Sequence, residues 1–353
     1  MENRNLVRGL LAAALFAATP AFAFQYTVTL IDIPATAVQP YAINNQGQVA
    51  GSITAGGFSR AFSWETGVGT LIDGNSSSAY GINNSGQIVG RGSATSSFNA
   101  ALWDAGTTTA LGTLGGTSIA YDINNQGQVV GYSQSVQVGS FQRTRATLWE
   151  NGTLTELGSL SQNSQAFAIN NNGDIAGYSY QTAGNSIPTL WSNGNIINLG
   201  TLGGIHGQAR DINDLGQIVG TSNLSGNNAT HATLWENGNI IDLGTLTGAG
   251  SSYAFGINNI GQIVGESNGF ATLWQDGNIF NLNDLIDPAL GWTLREARDI
   301  NTSGQIVGWG SMTGSGNTFG FILTPVPEPS TYAMLALGLG LVGWSTRRQQ
   351  KRA

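Results

Sequence analysis

Two arginine–aspartate pairs offer the clearest binding chemistry in the sequence. Arg210-Asp211 and Arg298-Asp299 each precede an Ile-Asn dipeptide, and the equivalent Arg position elsewhere holds an aromatic residue: Tyr41, Tyr80, Tyr121, Phe167 and Phe255. Guanidinium groups bind carboxylates, and aromatic rings can stack on sugars. If their strand is innermost in its sheet, these pairs could bind an anionic or hydroxyl-rich ligand such as a uronate sugar. Alternatively, each Arg packs its stem between repeats and pairs with a neighbouring carboxylate.

Catalytic chemistry is less well supported by the residue pattern. A glycosidase needs two carboxylates about 5–10 Å apart, and the available acids, including Glu150, Glu156, Glu266 and Glu296, form no recognisable pair in the sequence. The acids that follow Trp recur with the repeat, which favours a structural role. There are no cysteines and two histidines, so the sequence predicts no metal centre and no cofactor.

The charge distribution argues against nucleic-acid binding. Only 9% of the 353 residues are charged, and residues 24–328 hold 7 Arg, no Lys and 19 acidic residues. Such a surface repels phosphate backbones. The abundant apolar residues, at 41%, are enough for a large core.

A ten-residue motif, GINNSGQIVG at residues 81–90, recurs in related form seven times. Its central Asn stands 39 to 46 residues from the next copy, at Asn44, Asn83, Asn124, Asn170, Asn213, Asn258 and Asn301. Six copies are followed about twenty residues later by a Trp. A period of this length is typical of propellers and other repeat architectures.

One repeat, residues 254–282, contains four short apolar runs separated by Gly-containing turns. Four antiparallel strands per unit describe a propeller blade. The last unit lacks a fourth run, and the run that begins at Tyr26 can supply it. The sequence therefore predicts an all-β propeller over residues 24–324, with seven four-stranded blades and the N-terminal strand closing the last blade.

The repeated Asn is interpreted as a turn residue whose side chain bonds nearby backbone amides. Calcium binding is the alternative, because Asn and backbone oxygens suit that ion. Most copies lack paired carboxylates, which favours the turn.

Residues 1–23 have the pattern of a secretory signal peptide. Two arginines precede an apolar run, and Ala21 and Ala23 form the small-x-small site that signal peptidase accepts. We expect cleavage before Phe24.

Residues 325–353 form a distinct tail. Pro327, Glu328 and Pro329 precede a short apolar segment that we expect to form a transmembrane helix at 332–344. Arg347 and Arg348, which follow it, would stay on the cytoplasmic side of the membrane. This order resembles the PEP-CTERM sorting signal of Gram-negative bacteria. The resemblance implies a precursor held briefly in the inner membrane, processing by an exosortase, and release or anchoring at the cell surface. It also implies an association with exopolysaccharide and biofilm.

The segment from His231 to Gly238, together with Leu243-Gly-Thr-Leu, resembles the HAF repeat of bacterial extracellular proteins. The resemblance implies an extracellular repeat protein with no defined reaction, and His231 becomes a further candidate binding residue. The equivalent positions in other repeats carry Arg60, Asn99, Arg145, Ile187 and Phe270.

The sequence as a whole favours an exported, non-catalytic protein of the cell surface or matrix that binds or organises exopolysaccharide or surface partners. The alternative is a polysaccharide-active lyase or glycosidase with its site at the mouth of the propeller channel.

Overall fold

Short apolar runs that end at Gly- or Asn-containing turns form the strands of the protein. The structure, a computed structural model, describes residues 25–92, 99–136, 143–180 and 184–327. Within these ranges 28 strands form seven antiparallel four-stranded sheets, and Tyr26–Val326 is one compact unit. The predicted seven-bladed β-propeller is confirmed.

The blades follow the chain order, with the first strand of each blade lining the central channel. The N-terminal strand is β1 (Tyr26–Ile31). Blades 1 to 3 contain β2 (Ala37–Ile43), β3 (Val49–Ala55), β4 (Phe58–Glu65) and β5 (Val68–Leu71); β6 (Ser78–Ile82), β7 (Ile88–Gly92), β8 (Asn99–Asp104) and β9 (Thr107–Ala110); and β10 (Gly115–Ile123), β11 (Val129–Ser135), β12 (Thr144–Glu150) and β13 (Thr153–Glu156).

Blades 4 to 6 contain β14 (Asn163–Ile169), β15 (Ile175–Tyr180), β16 (Ser186–Ser192) and β17 (Asn195–Asn198); β18 (Gly203–Ile212), β19 (Ile218–Leu224), β20 (Thr230–Glu236) and β21 (Asn239–Asp242); and β22 (Ser252–Ile257), β23 (Ile263–Ser267), β24 (Phe270–Gln275) and β25 (Asn278–Asn281). Two short 3-10 helices, Leu282–Leu285 and Pro288–Leu290, lead into blade 7.

Blade 7 joins the two ends of the repeat region. It contains β26 (Trp292–Ile300), β27 (Ile306–Met312), β28 (Phe319–Pro325) and β1. Strand β1 pairs antiparallel with β28, with Tyr26 opposite Pro325 and Ile31 opposite Gly320. The N-terminal strand thus closes the last blade, as the sequence predicts.

The hydrophobic core lies between neighbouring blades. Val89 and Ala100 of blade 2 pack with Ile123, Val129 and Trp149 of blade 3, and equivalent clusters recur around the ring. The repeated Trp lies on the third strand of its blade and is buried; in blade 7 Leu323 takes this position and pairs with Ile306. Burying such side chains contributes about 1.5–3 kcal/mol each.

The repeated Asn closes the turn between the first and second strands. In blade 5, Asn213 Oδ1 accepts hydrogen bonds from the backbone N–H groups of Leu215 and Gln217, both at 3.0 Å. Gly216 follows with a positive φ of 78°, which glycine adopts without strain. Both bonds recur in all seven blades. The predicted Asx-type turn is confirmed.

The amide nitrogen of the same Asn joins adjacent blades. Asn213 Nδ2 donates to the carbonyl oxygen of Asn258 in blade 6 at 3.0 Å and to Gln217 Oε1 within its own turn. The inter-blade bond recurs at 3.0–3.1 Å from every repeated Asn to the next. Asn301 of blade 7 donates to the carbonyl of Asn44 in blade 1 at 3.0 Å. The seven bonds form a closed ring, which we call the Asn ring.

We expect Asn213→Ala to lower the free energy of unfolding by roughly 2–4 kcal/mol, because buried donors and acceptors would lose their partners. The measurement is chemical denaturation followed by Trp fluorescence. Asn239→Ala, on the exposed outer strand of the same blade, is the control and should change stability by less than about 0.5 kcal/mol. Equal effects of the two substitutions would show that the Asn ring contributes little to stability.

Candidate functional site

A β-bulge interrupts the first strand of every blade at the same position. In blade 5 the pairing of β18 with β19 shifts between Ala209 and Asp211, which leaves Arg210 as the extra residue. Bulges re-aim a side chain relative to a regular strand. The bulge residues of the seven blades are Tyr41, Tyr80, Tyr121, Phe167, Arg210, Phe255 and Arg298.

The glycine that ends the GINNSGQIVG motif makes the bulge possible. In blade 5 this residue is Gly220, which pairs with Ala209 beside the bulge. A Cβ atom on Gly220 would lie 2.0 Å from the carbonyl oxygen of Gln208, a distance that no side chain tolerates. The repeated glycine is therefore required by the close approach of the bulged backbone.

All seven bulge side chains meet in one cavity at the channel, which we call the chamber. It has a volume of about 290 Å³ and is lined by the bulge residues and Gln165. Neighbouring rings contact one another around the wall, with centroid separations of 5.4 Å for Tyr41–Tyr80, 5.6 Å for Tyr80–Tyr121 and 5.2 Å for Tyr121–Phe167. The side chains are half-buried, so solvent reaches the chamber.

The two arginines of the chamber have different surroundings. Arg298 Nη1 forms an ion pair with Glu296 Oε1 at 2.7 Å, and its guanidinium lies 4.5 Å from the centroid of Phe255. The guanidinium of Arg210 lies 4.5 Å from the centroid of Phe167. Burial, together with the positive charge of Arg298, lowers the pKa of Arg210. Arg298 thus has a carboxylate partner, whereas Arg210 lies over an aromatic face and interacts with Glu296 only beyond ion-pair contact.

The structure does not place the two aspartates in the chamber with the arginines. Asp211 and Asp299 line a second cavity of about 180 Å³ at the Asn ring. Asp211 Oδ1 accepts the N–H of Ile212 at 2.8 Å, and Oδ2 accepts the N–H of Ile257 in blade 6 at 2.7 Å. Asp299 bonds in the same way to Ile300 and to Ile43 of blade 1. Each aspartate thus links two neighbouring blades by hydrogen bonds, an arrangement that we call an aspartate staple.

Sequence reasoning missed a third staple, Asp122, which bonds to Ile123 and to Ile169 of blade 4. Its position, two residues before the repeated Asn, is the signal that could have identified it. Withdrawal from water raises the pKa of Asp122. Burial, and next the charge of Asp299, raises the pKa of Asp211 to about 8. Burial likewise raises the pKa of Asp299 to about 6.

His231 lies on the third strand of blade 5, outside the chamber. Its Nδ1 lies 2.8 Å from Asp242 Oδ1 on the neighbouring outer strand.

The repeated acids that follow Trp have local partners as well. Asp104, Glu150 and Glu236 accept hydrogen bonds from Gln87, Gln128 and Gln217 at 2.7–3.0 Å. These glutamines in turn bind the Asn ring. The contacts support the structural role expected for these acids.

Residues 325–349 match the PEP-CTERM protein-sorting motif. The motif indicates an exported surface protein that is processed by an exosortase. Pro327 is the last described residue. The other predicted processing residues, which are Ala21, Ala23, Glu328, Pro329, Arg347 and Arg348, lie outside the described residues, as does the predicted helix 332–344. Within the described ranges, the structure contains no helix with the length and hydropathy of a membrane span.

Comparison with known proteins adds information on the fold. No curated protein matched the chain. Among solved structures it is similar to a puromycin-hydrolyzing peptidase of Mycobacterium tuberculosis, at 10% identity and a TM-score of 0.50, over 84% of this chain and 55% of that one. At this identity the likeness concerns the fold alone.

Two further similar structures are TolB from Acinetobacter baumannii, at 11% identity and a TM-score of 0.46, and an acylaminoacyl peptidase of Pyrococcus horikoshii, at 15% and 0.42. The matches cover 80% and 82% of this chain. They cover 64% and 50% of the two proteins, so this chain spans less than two thirds of the length of each.

We expect the free energy of unfolding to fall as the pH rises from 5 to 8. Asp211 keeps its proton in the folded chain up to about pH 8, whereas the unfolded chain ionises near its ordinary pKa of 3.8. The unfolded state is therefore favoured as the pH rises through this window, by up to about 1.4 kcal/mol per pH unit for one proton.

Asp211→Ala should flatten this pH dependence, which denaturation at a series of pH values would measure. Alanine is compatible with the position, since Ala42 and Ala168 occupy it in blades 1 and 4. Asp276→Asn, which removes an exposed carboxylate, is the control. A wild-type stability that rises between pH 5 and 8, or a slope unchanged by Asp211→Ala, would contradict the assignment.

Proposed function

We propose that this chain is an exported, non-catalytic protein of the cell surface that binds exopolysaccharide through its chamber. The observation that carries the proposal is the alignment of seven bulges, which direct five aromatic rings and two arginines into one cavity. A bulge interrupts the hydrogen-bond ladder of each first strand, and each blade has a glycine that permits the close approach of the bulged backbone. The repeated bulge therefore places one side chain of each blade in the channel wall.

The chemistry of the chamber suits a sugar. Aromatic rings present apolar faces on which sugar rings pack, while Tyr hydroxyls and the side chain of Gln165 can hydrogen-bond to sugar hydroxyls. Burial raises the pKa of Tyr41 and of Tyr121, so both remain hydroxyl donors at neutral pH. A volume of about 290 Å³ lies at the lower end of the range for small-molecule sites and suits one or two sugar rings of a longer chain.

The sorting motif provides the setting for this activity. An exported surface protein meets the polymers that the cell secretes, and such polymers present many copies of one sugar. The resemblance of the Trp-containing segments to HAF repeats is consistent with this extracellular setting. In our proposal the mature protein is released from the membrane or anchored at the cell surface, and it acts in a biofilm matrix.

The rival hypothesis is a polysaccharide lyase or glycosidase with its site at the channel mouth. A glycosidase needs two carboxylates that flank one bond. The residues that line the chamber in the described part of the chain include no carboxylate, and nearby Glu296 is paired with Arg298. The geometry therefore favours binding, and product analysis tests the rival directly.

The test is calorimetric titration of residues 24–327, which include all 28 strands, with exopolysaccharide from the producing organism. We expect saturable binding without shortening of the polymer. Tyr80→Ala should weaken binding about three- to tenfold, because one stacking surface is lost.

Phe58→Ala is the control, since Phe58 is an aromatic residue 49% exposed on the third strand of blade 1. Binding that Tyr80→Ala leaves unchanged would place the ligand elsewhere. Shortened polymer chains in the same mixture would overturn the non-catalytic assignment.

A further inference from the structure

Arg210 has no ion-pair partner among the described residues, and the carboxylate that acts on its charge, Glu296, is already paired with Arg298. The Nε atom of Arg210 is buried and has no hydrogen-bond partner among the described residues, and neither an ion pair nor an acceptor engages its guanidinium there. A buried donor without a hydrogen-bond partner lowers the stability of the folded state. Because this donor faces a cavity, a ligand in the chamber can supply the missing acceptor.

The equivalent arginine in blade 7 shows how a carboxylate can pair with a guanidinium at this position. Arg298 is held by Glu296, which stands two residues before it on the same strand. The two segments read Gln-Ala-Arg-Asp-Ile in blade 5 and Glu-Ala-Arg-Asp-Ile in blade 7. Gln208 therefore occupies the place of Glu296, and a neutral amide replaces the carboxylate. A difference at this one position therefore distinguishes an arginine with a carboxylate partner from one without such a partner.

We propose that Arg210 binds a carboxylate group of the ligand, so that the chamber selects an acidic sugar of the uronate class over a neutral one. A guanidinium binds a carboxylate through two parallel hydrogen bonds. The surrounding aromatic rings pack against the sugar ring while Arg210 binds the carboxylate of the sugar. The inference rests on the proposed function for the location of the ligand and adds the chemical class of that ligand.

A single negative charge fits the chamber better than a doubly charged phosphate. Of the two chamber arginines, only Arg210 lacks a carboxylate partner, since Glu296 neutralises Arg298. The apolar walls would leave the remaining charge of a phosphate without a partner. The expected ligand therefore carries one carboxylate on a ring of sugar size.

The experiment compares D-glucuronate, D-glucose and inorganic phosphate as ligands of residues 24–327, by calorimetry or by ligand-observed NMR. Glucuronate should bind at least about tenfold more tightly than glucose or phosphate, as expected for a charge-assisted hydrogen bond. Equal affinities for glucuronate and glucose, tighter binding of phosphate, or no glucuronate binding at millimolar concentration would each overturn the proposal.

Gln208→Glu is the sharpest variant, because it supplies Arg210 with the partner that Glu296 gives to Arg298. We expect it to lower glucuronate affinity at least about tenfold while glucose binding stays unchanged. Arg210→Phe installs the residue found at this position in blades 4 and 6 and should have the same effect. Arg60→Gln, outside the chamber, is the control and should leave both affinities unchanged.

Stability without ligand provides a second readout. Both Gln208→Glu and Arg210→Phe relieve an uncompensated charge, so both should raise Tm by about 2 °C or more. A lower Tm in both variants would show that Arg210 holds the blades together, and the proposal would be wrong. If exopolysaccharide binding depends on Tyr80 while glucuronate and glucose bind alike, the chamber keeps its proposed role and only the carboxylate specificity fails.

Discussion

The hydrogen bond from each repeated Asn to the backbone of the next blade is the interaction on which the rest of the structure depends. One side chain caps its own turn through Oδ1 and reaches the adjacent blade through Nδ2. Because the bond from Asn301 to Asn44 completes the circle, every blade is held on both sides. The chain has no cysteine, so this ring, the pairing of β1 with β28 and the inter-blade core close the propeller without a disulfide.

A regular ring of this kind leaves the bulge position of each blade able to vary. The Trp, Ile and Ala side chains of the core pack between blades, and Asn, Gly and Gln maintain the turn. The bulge residue projects into the channel, where it is half-buried and contacts the bulge residues of adjacent blades. Five blades use an aromatic residue and two use Arg, which makes the wall of a nearly symmetric channel chemically asymmetric. Under our proposal, a ligand would therefore meet different groups in different orientations.

The local features of the fold could be predicted from the sequence, because they depend on residues close together in the chain. The spacing of the seven Asn residues indicates the number of blades, and the motif itself indicates its turn. The missing fourth run of the last repeat indicates closure by Tyr26–Ile31. In contrast, the Asn ring and the aspartate staples join residues 39 or more positions apart. Their partners are backbone atoms, so no residue type in the sequence marks which residue each side chain will bond to.

The different roles of the Arg and Asp in each pair follow from the bulge. Adjacent residues on a strand alternate between its two faces, and here the bulge also turns Arg210 into the chamber while Asp211 remains at the Asn ring. The signal that distinguishes Arg210 from Arg298 was present in the sequence as Gln208 and Glu296. It can be interpreted only once the structure shows that Glu296 pairs with Arg298, two residues along the same strand. The protein carries a net charge of −7, and this charge is screened beyond about 8 Å at physiological salt. A guanidinium that is partly withdrawn from solvent is screened less, so under our proposal contact with Arg210, rather than the overall charge, would determine whether an acidic ligand stays bound.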